Sequence, residues 1–168
     1  MKKILRFADT VNDWSGKFVS FALYIGIILL CYEVVARYIF NSPTVWAHGY
    51  SQRLYGSYFI LIGGFTLLND GHVRVDLIYN HLSLRWRALL DILNYSLLLI
   101  WAAFITREGF FFFLTSWRYR ETDEMSLAHP VYPVKFLLFV GMLLILIQGI
   151  NKMIVSLLTF FRGANYEY

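Results

Sequence analysis

Residues 71–79 read G-H-V-R-V-D-L-I-Y. This is the most polar, basic break in an apolar chain, with two long hydrophobic segments before it and two after it. The fold depends on whether it is a surface loop of a soluble domain or a connection between membrane spans. Composition decides for the second. Of the 168 residues, 58% are hydrophobic and only 15% charged, against about 25% charged in soluble domains. So few charges cannot cover a water-facing surface, and lipid is the expected solvent.

The net charge of +4 does not indicate nucleic acid. The basic residues lie in short segments between apolar runs, not on one face that could follow phosphates. Cys31 is the single cysteine, which rules out an intrachain disulfide and a thiolate cluster. Lys2, Lys3 and Arg6 precede an apolar run, as in a signal peptide. That run is longer than an h-region and no small-x-small cleavage site follows it, so the segment is expected to be retained.

Outward from the hinge, the sequence predicts an all-α membrane protein with four transmembrane helices forming one membrane domain over 1–168. Residues 1–17 form an amphipathic interfacial helix. Its apolar stripe is Ile4, Phe7, Ala8, Val11, Trp14 and Phe18, and Asp9, Asn12, Asp13 and Lys17 lie on the other positions. The spans fall at about 18–40, 50–68, 88–110 and 136–158, each near the length a helix needs to cross the hydrocarbon core.

Glu33 and Arg37 stand four apart near the end of the first span and can pair on one face. They form either a paired interfacial charge or a contact to another subunit. Asn41-Ser42-Pro43 ends that span. Trp46 and Tyr50 anchor the second. Its Arg53 snorkels, and Gly56, Ser57, Gly63 and Gly64 permit close helix approach. The third segment runs on toward Trp117, and Arg107-Glu108 mark where it leaves the core. Arg118 to His129 is a mixed-charge connection, and Pro130 and Pro133 bracket the start of the fourth span.

The N-terminus, the hinge and the C-terminal tail hold most of the Lys and Arg, which places both termini in the cytoplasm. No nucleotide loop, catalytic triad or metal spacing is present, so no cofactor is expected in this chain. His48 and His129 sit at the starts of spans and read as interfacial residues, not haem ligands. Deep polar groups are few: Asn94 and Gln148, with Asp91 near the inner edge. A carrier acting alone needs a denser midplane cluster. The expectation is therefore a membrane-embedded accessory subunit.

The chain resembles the small membrane subunit (Q subunit, DctQ-like) of tripartite ATP-independent periplasmic (TRAP) transporters. The resemblance runs from about Tyr32 to Lys152. It rests on the 71–79 motif after T-L-L-N-D, on L-S-L-R and R-A-L-L-D (82–85, 87–91), on Ser116-Trp117, Glu124-Met125-Ser126, Pro133-Val134-Lys135 and Gln148-Gly149. One departure is Gly49, where relatives commonly carry an acid.

The resemblance implies a non-catalytic subunit of a secondary uptake system in the bacterial inner membrane. Its implied partners are a large multi-span subunit carrying the substrate and sodium sites, a periplasmic binding protein that delivers an organic acid, and membrane lipids. The subunit-interface candidates are Glu33, Arg37, Gly71, His72, Arg74, Asp76, Trp117, Glu124, Ser126 and Lys135. Gly71 is expected to permit the turn into the hinge. Trp117, Glu124, Ser126 and Lys135 are expected to form an outward surface. The alternative function is a small homodimeric proton-coupled carrier using Glu33.

Overall fold

The computed structural model describes residues 2–71, 79, 82–124 and 128–162, without the side chain of residue 4. Regular structure among them is helical: α1 (Lys2–Tyr38), α2 (Ala47–Leu61), α3 (Gly63–Leu68), α4 (Leu84–Tyr119) and α5 (Tyr132–Arg162). Three helical stretches are long and apolar enough to cross a membrane: Leu5–Tyr38, Leu84–Tyr119 and Tyr132–Arg162. The 36 residues of α4 span about 54 Å at 1.5 Å per residue, well beyond the ~30 Å hydrocarbon core.

The second expected span, 50–68, is not one uninterrupted helix. α2 and α3 abut at Ile62, directly before Gly63-Gly64, and paired small residues of this kind are a frequent cause of helix breaks. α3 ends in a Schellman turn. The Gly71 N–H donates to the Thr66 carbonyl at 2.9 Å, and the Asp70 N–H to that of Leu67 at 3.4 Å. The residue in the left-handed conformation is Asp70 (φ 52°), not Gly71 as the sequence suggested. An aspartate tolerates that region better than most non-glycine residues, and Lys152 holds its carboxylate at 2.9 Å.

α1 joins the expected interfacial segment and the first span in one continuous helix, and of the expected apolar stripe Ala8 turns toward the other helices while Phe7, Trp14 and Phe18 face outward. Leu5, Ala8, Asn12 and Val19 are buried, while Phe7, Trp14 and Phe18 are 66–70% exposed. The physical reason is the solvent. In lipid no hydrophobic force drives aromatics inward, so small and hydrogen-bonding residues take the helix contacts. Gly16 therefore lies against Phe65, and Gly64 against Asn12.

α5 is the central helix, packing mainly on α4 and also on α3, α2 and α1. Ala102 of α4 meets Met142 and Ile145 of α5 in the buried core. A polar ladder fixes α5 against α1. The fully buried Asn12 and Gln148 bond at 3.0 Å. Asp9 accepts from Gln148 at 2.9 Å and from Asn151 at 2.6 Å. Asn151 also donates to the Leu5 carbonyl at 3.1 Å. Unmade hydrogen bonds are costly away from water, so this ladder fixes the register of α1 on α5. With the Asp70–Lys152 pair it groups the start of α1, the end of α3 and the second half of α5 at one end. The first turns of α2 meet the 120–131 connection at the other.

Candidate subunit interface

At that second end, Glu33 closes a small polar node. One carboxylate oxygen accepts from the Arg37 guanidinium at 2.5 Å. The other accepts from the Thr44 hydroxyl at 2.5 Å and from its backbone N–H at 3.3 Å. Thr44 Oγ1 in turn accepts from the Ala47 N–H at 3.3 Å. Together these bonds fasten the end of α1 to the first turn of α2. Glu33 is buried while Arg37 stays exposed, so the pair presents a cation outward and keeps its carboxylate inside.

Arg53 does not snorkel. Its guanidinium pairs with Asp123 of the connection between α4 and α5, and their side chains are 20% and 16% exposed. Asp123 also accepts from the His129 N–H at 2.9 Å. The connection is tied as a short hairpin by Asp123 N–H to His129 carbonyl (2.9 Å) and Val131 N–H to Glu121 carbonyl (3.0 Å). The His129 ring lies 4.8 Å from that of Tyr50. Gly49 is buried in the first turn of α2, one turn before Arg53, whose acid here comes from Asp123.

Lys135, expected on an outward surface, turns inward. It is 7% exposed, bonds Glu121 at 2.5 Å and sits 3.7 Å from the centre of the Phe112 ring, a cation–π contact. Trp117 is 58% exposed and meets Tyr132 edge-on at 5.0 Å. Glu124 is exposed. Trp117, Glu124 and Arg37 are thus the interface candidates at this end whose side chains reach the surface. Ser126 lies outside the described residues.

The Lys135 ammonium holds the Glu121 carboxyl below its ordinary value of 4.5. A depressed folded pKa contributes stability above the unfolded value and loses it as pH falls through the folded one. Carboxyl-carbon NMR should therefore give a Glu121 midpoint below 4.5, and Lys135→Met should raise it. A midpoint unmoved by that substitution would exclude the ion pair.

At the opposite end, the Tyr79 hydroxyl donates to Asp91 at 2.8 Å, and Arg87 Nε to the Leu82 carbonyl at 2.9 Å. With Asp70 and Lys152 they line a polar cavity of about 280 Å³. Gly71 is exposed beside it. His72, Arg74 and Asp76 lie outside the described residues. Asn94, expected to be a deep polar group, is exposed on α4. Among the described residues no group of three His, Cys, Asp or Glu side chains is arranged to hold a metal ion.

The long-range pairs Arg53–Asp123, Lys135–Glu121 and Lys152–Asp70 carried no sequence signal, because their members are 14 to 82 positions apart. Glu33–Arg37 was visible from its helical spacing alone.

A comparison with curated proteins gave no match. The family model described as "Tripartite ATP-independent periplasmic transporters, DctQ component" matches residues 26–159, a range that takes in the Glu33 node, the hairpin and both helices of the main core. With that match over most of a chain that carries three long apolar helices, the chain belongs to the DctQ family, the non-catalytic small membrane component of TRAP transporters.

Proposed function

We propose that this chain is the scaffold of a sodium-coupled importer of an organic acid in the bacterial inner membrane. It crosses four times, with α2 and α3 together as the second crossing and both termini in the cytoplasm. It steadies the large transport subunit and helps to dock the periplasmic binding protein through the hairpin end. The substrate and sodium sites belong to the large subunit. The observation that carries the reading is how the buried polar groups are used. Asn12, Gln148, Glu33 and Lys135 all bond within the chain, which is how a rigid support is built, whereas a solute path exposes its polar groups to a water-filled cavity. Sidedness is supported by the basic residues Lys2, Lys3, Arg6, Arg85, Arg87, Lys152 and Arg162, which favour the cytoplasm.

Glu33 is committed to Arg37 and Thr44, which argues against a carrier that uses it for protons. Reconstitution separates the two readings. Liposomes with the large subunit, this chain and the binding protein should take up organic acid under a sodium gradient. Omitting this chain should cut uptake at least tenfold, and this chain alone should give none. Full uptake without it would end the scaffold reading.

A further inference from the structure

Four helical stretches each carry one uncharged run of nearly the same length. Lys17 and Glu33 bound it on α1, Arg53 and Asp70 on α2 with α3, Asp91 and Arg107 on α4, and Lys135 and Lys152 on α5, in each case 16 or 17 positions apart. In the packed bundle these runs do not stand at one height. Asn12 of α1 bonds Gln148 of α5 at 3.0 Å, and Gly149 of α5 lies against Leu98 and Leu99 of α4, so Asn12 is level with Leu98 and Leu99. Asp9 bonds Asn151 and Gly109 faces Phe139, so α1 and α4 both run antiparallel to α5 and parallel to each other. Five positions on from Asn12, Lys17 therefore stands level with Ala103 and Phe104. The uncharged runs of α1 and α4 share only about 5 Å of height at 1.5 Å per residue, and the run on α5 falls between them. We infer that the bundle crosses the bilayer obliquely, tilted by about 35°. The Asp13–Lys17 pair of α1 then meets the phospholipid headgroups of one leaflet, and the Arg107–Glu108 pair of α4 those of the other. This goes beyond the scaffold role. It rests on the chain being embedded in a bilayer and not on which side its termini lie.

An upright bundle has no good place in a hydrocarbon core ~30 Å thick. Centred between the two runs, that core would hold both charged pairs near its midplane. Both point away from the bundle, with side chains 41% and 69% exposed for Asp13 and Lys17 and 67% and 46% for Arg107 and Glu108, and charge exposed to hydrocarbon is costly. Moved to cover one run, the core would leave the other in water, stranding the exposed Phe21, Ile25 and Ile28 of α1 or Leu93, Leu97 and Ile100 of α4. Tilting removes the conflict. The midpoints of the two runs are offset by about 19 Å along the helices. α5 packs on both α1 and α4, so two helix spacings, about 18 Å, lie between them. Full alignment would take about 45°, and Lys17 and Arg107 reaching a few Å toward water lower that to about 35°. The helix lengths agree. The 37 residues of α1 and 36 of α4 extend about 55 Å. At 35° they rise about 45 Å, the thickness of a bilayer with its headgroup layers.

The test uses the transporter assembled with its large subunit in bilayers of phosphatidylethanolamine and phosphatidylglycerol, with carbon-13 in the backbone of this chain alone. Polarised infrared dichroism of its shifted amide band in oriented bilayers should give a mean helix tilt of about 35°, against the ~20° average of membrane helices. Nitroxide labels then assign the leaflets. In a Cys31→Ser background, with the large subunit's cysteines replaced, single labels are attached at Phe18→Cys and Phe104→Cys. These positions stand at one height in the bundle and are both exposed. Relaxation by oxygen and by a nickel chelate should place each label close to headgroups. In liposomes selected for one direction of insertion, chelate added outside should relax one label and chelate trapped inside the other.

A mean tilt no greater than the ~20° average, or both labels relaxed from the same side, would overturn the inference. Labels far from both headgroup layers would do so as well, since an upright bundle puts Phe18 and Phe104 together near the midplane. A label shielded from oxygen and chelate alike would show that the large subunit covers that charged pair, which overturns the headgroup contact there. None of these readouts involves uptake, so failure of the scaffold reading leaves them unmoved. Failure of the membrane reading shows separately, as release of the chain from membranes by alkaline carbonate.

Discussion

Replacing Gly141 with leucine is expected to leave little folded chain to purify, and Gly141→Ala to lower the unfolding free energy by about 2 kcal/mol. A β-carbon at Gly141 would stand 2.5 Å from Ile60 Cγ2, 2.8 Å from the Ile60 carbonyl oxygen and 2.9 Å from its carbonyl carbon. The first neighbour could rotate away, but the other two are backbone. To accommodate even a methyl group, α2 and α5 must separate. α5 is the helix on which α1, α2, α3 and α4 all pack, so separation at this point disturbs every other contact. In lipid this matters more than in water, because van der Waals fit rather than hydrophobic force holds helices together.

Gly56 supplies the control. A β-carbon there meets nothing within 4 Å, so Gly56→Ala removes a flexible residue from the interior of α2 and should stabilise by up to about 1 kcal/mol. Unfolding midpoints in detergent, followed by circular dichroism, should move in opposite directions for the two alanine variants. Equal shifts would show that helix propensity, not the α2–α5 approach, governs both sites.

The same glycines show how much of the fold could be read in advance. Long apolar runs made three helices legible, because a span needs about 20 apolar residues and few soluble elements do. The small residues of the second span also suggested close helix approach. The structure assigns that role to Gly63 and Gly64, which face Ile145 and Asn12, and not to Gly56. Composition marks a small residue but not the direction it faces.

The contacts of α1 were hidden for the same reason. Its periodicity was legible as a membrane-facing stripe, but such a stripe does not say which residues meet the neighbouring helices. Asp9 and Asn12 gave no sign of facing α5, because their partners Gln148 and Asn151 lie 136 to 142 positions away. Of the interface candidates, Glu33 and Arg37 announced themselves at i and i+4. Lys135 read as an outward charge because Glu121 and Phe112, which enclose it, come from a different helix and its following loop. Sequence spacing reveals pairs within one helix, and pairs between helices need the packing first.

The largest effect expected at the hairpin end comes from the Arg53–Asp123 pair. Removing one partner of a buried ion pair costs about 3–5 kcal/mol, because the remaining charge stays desolvated. Here the side chains keep 20% and 16% exposure, so some water screens the survivor and a loss of about 2–3 kcal/mol is expected for Arg53→Met. Asp123→Asn keeps an acceptor for the His129 N–H, now at 2.9 Å, but strands the Arg53 guanidinium, and should cost a similar amount. Since each single change leaves one group uncompensated, Arg53→Met with Asp123→Asn should cost clearly less than the sum, with a coupling of about 2 kcal/mol.

The functional readout follows from what the pair joins. Arg53 is on α2, while Asp123 holds the hairpin that is proposed to meet the binding protein. Both single variants should therefore lose uptake driven by the binding protein more than they lose co-purification with the large subunit, and the double variant should regain part of that uptake. Additive losses of stability, with coupling near zero, would mean that the hairpin is held by its own backbone bonds and that Arg53 does not anchor it.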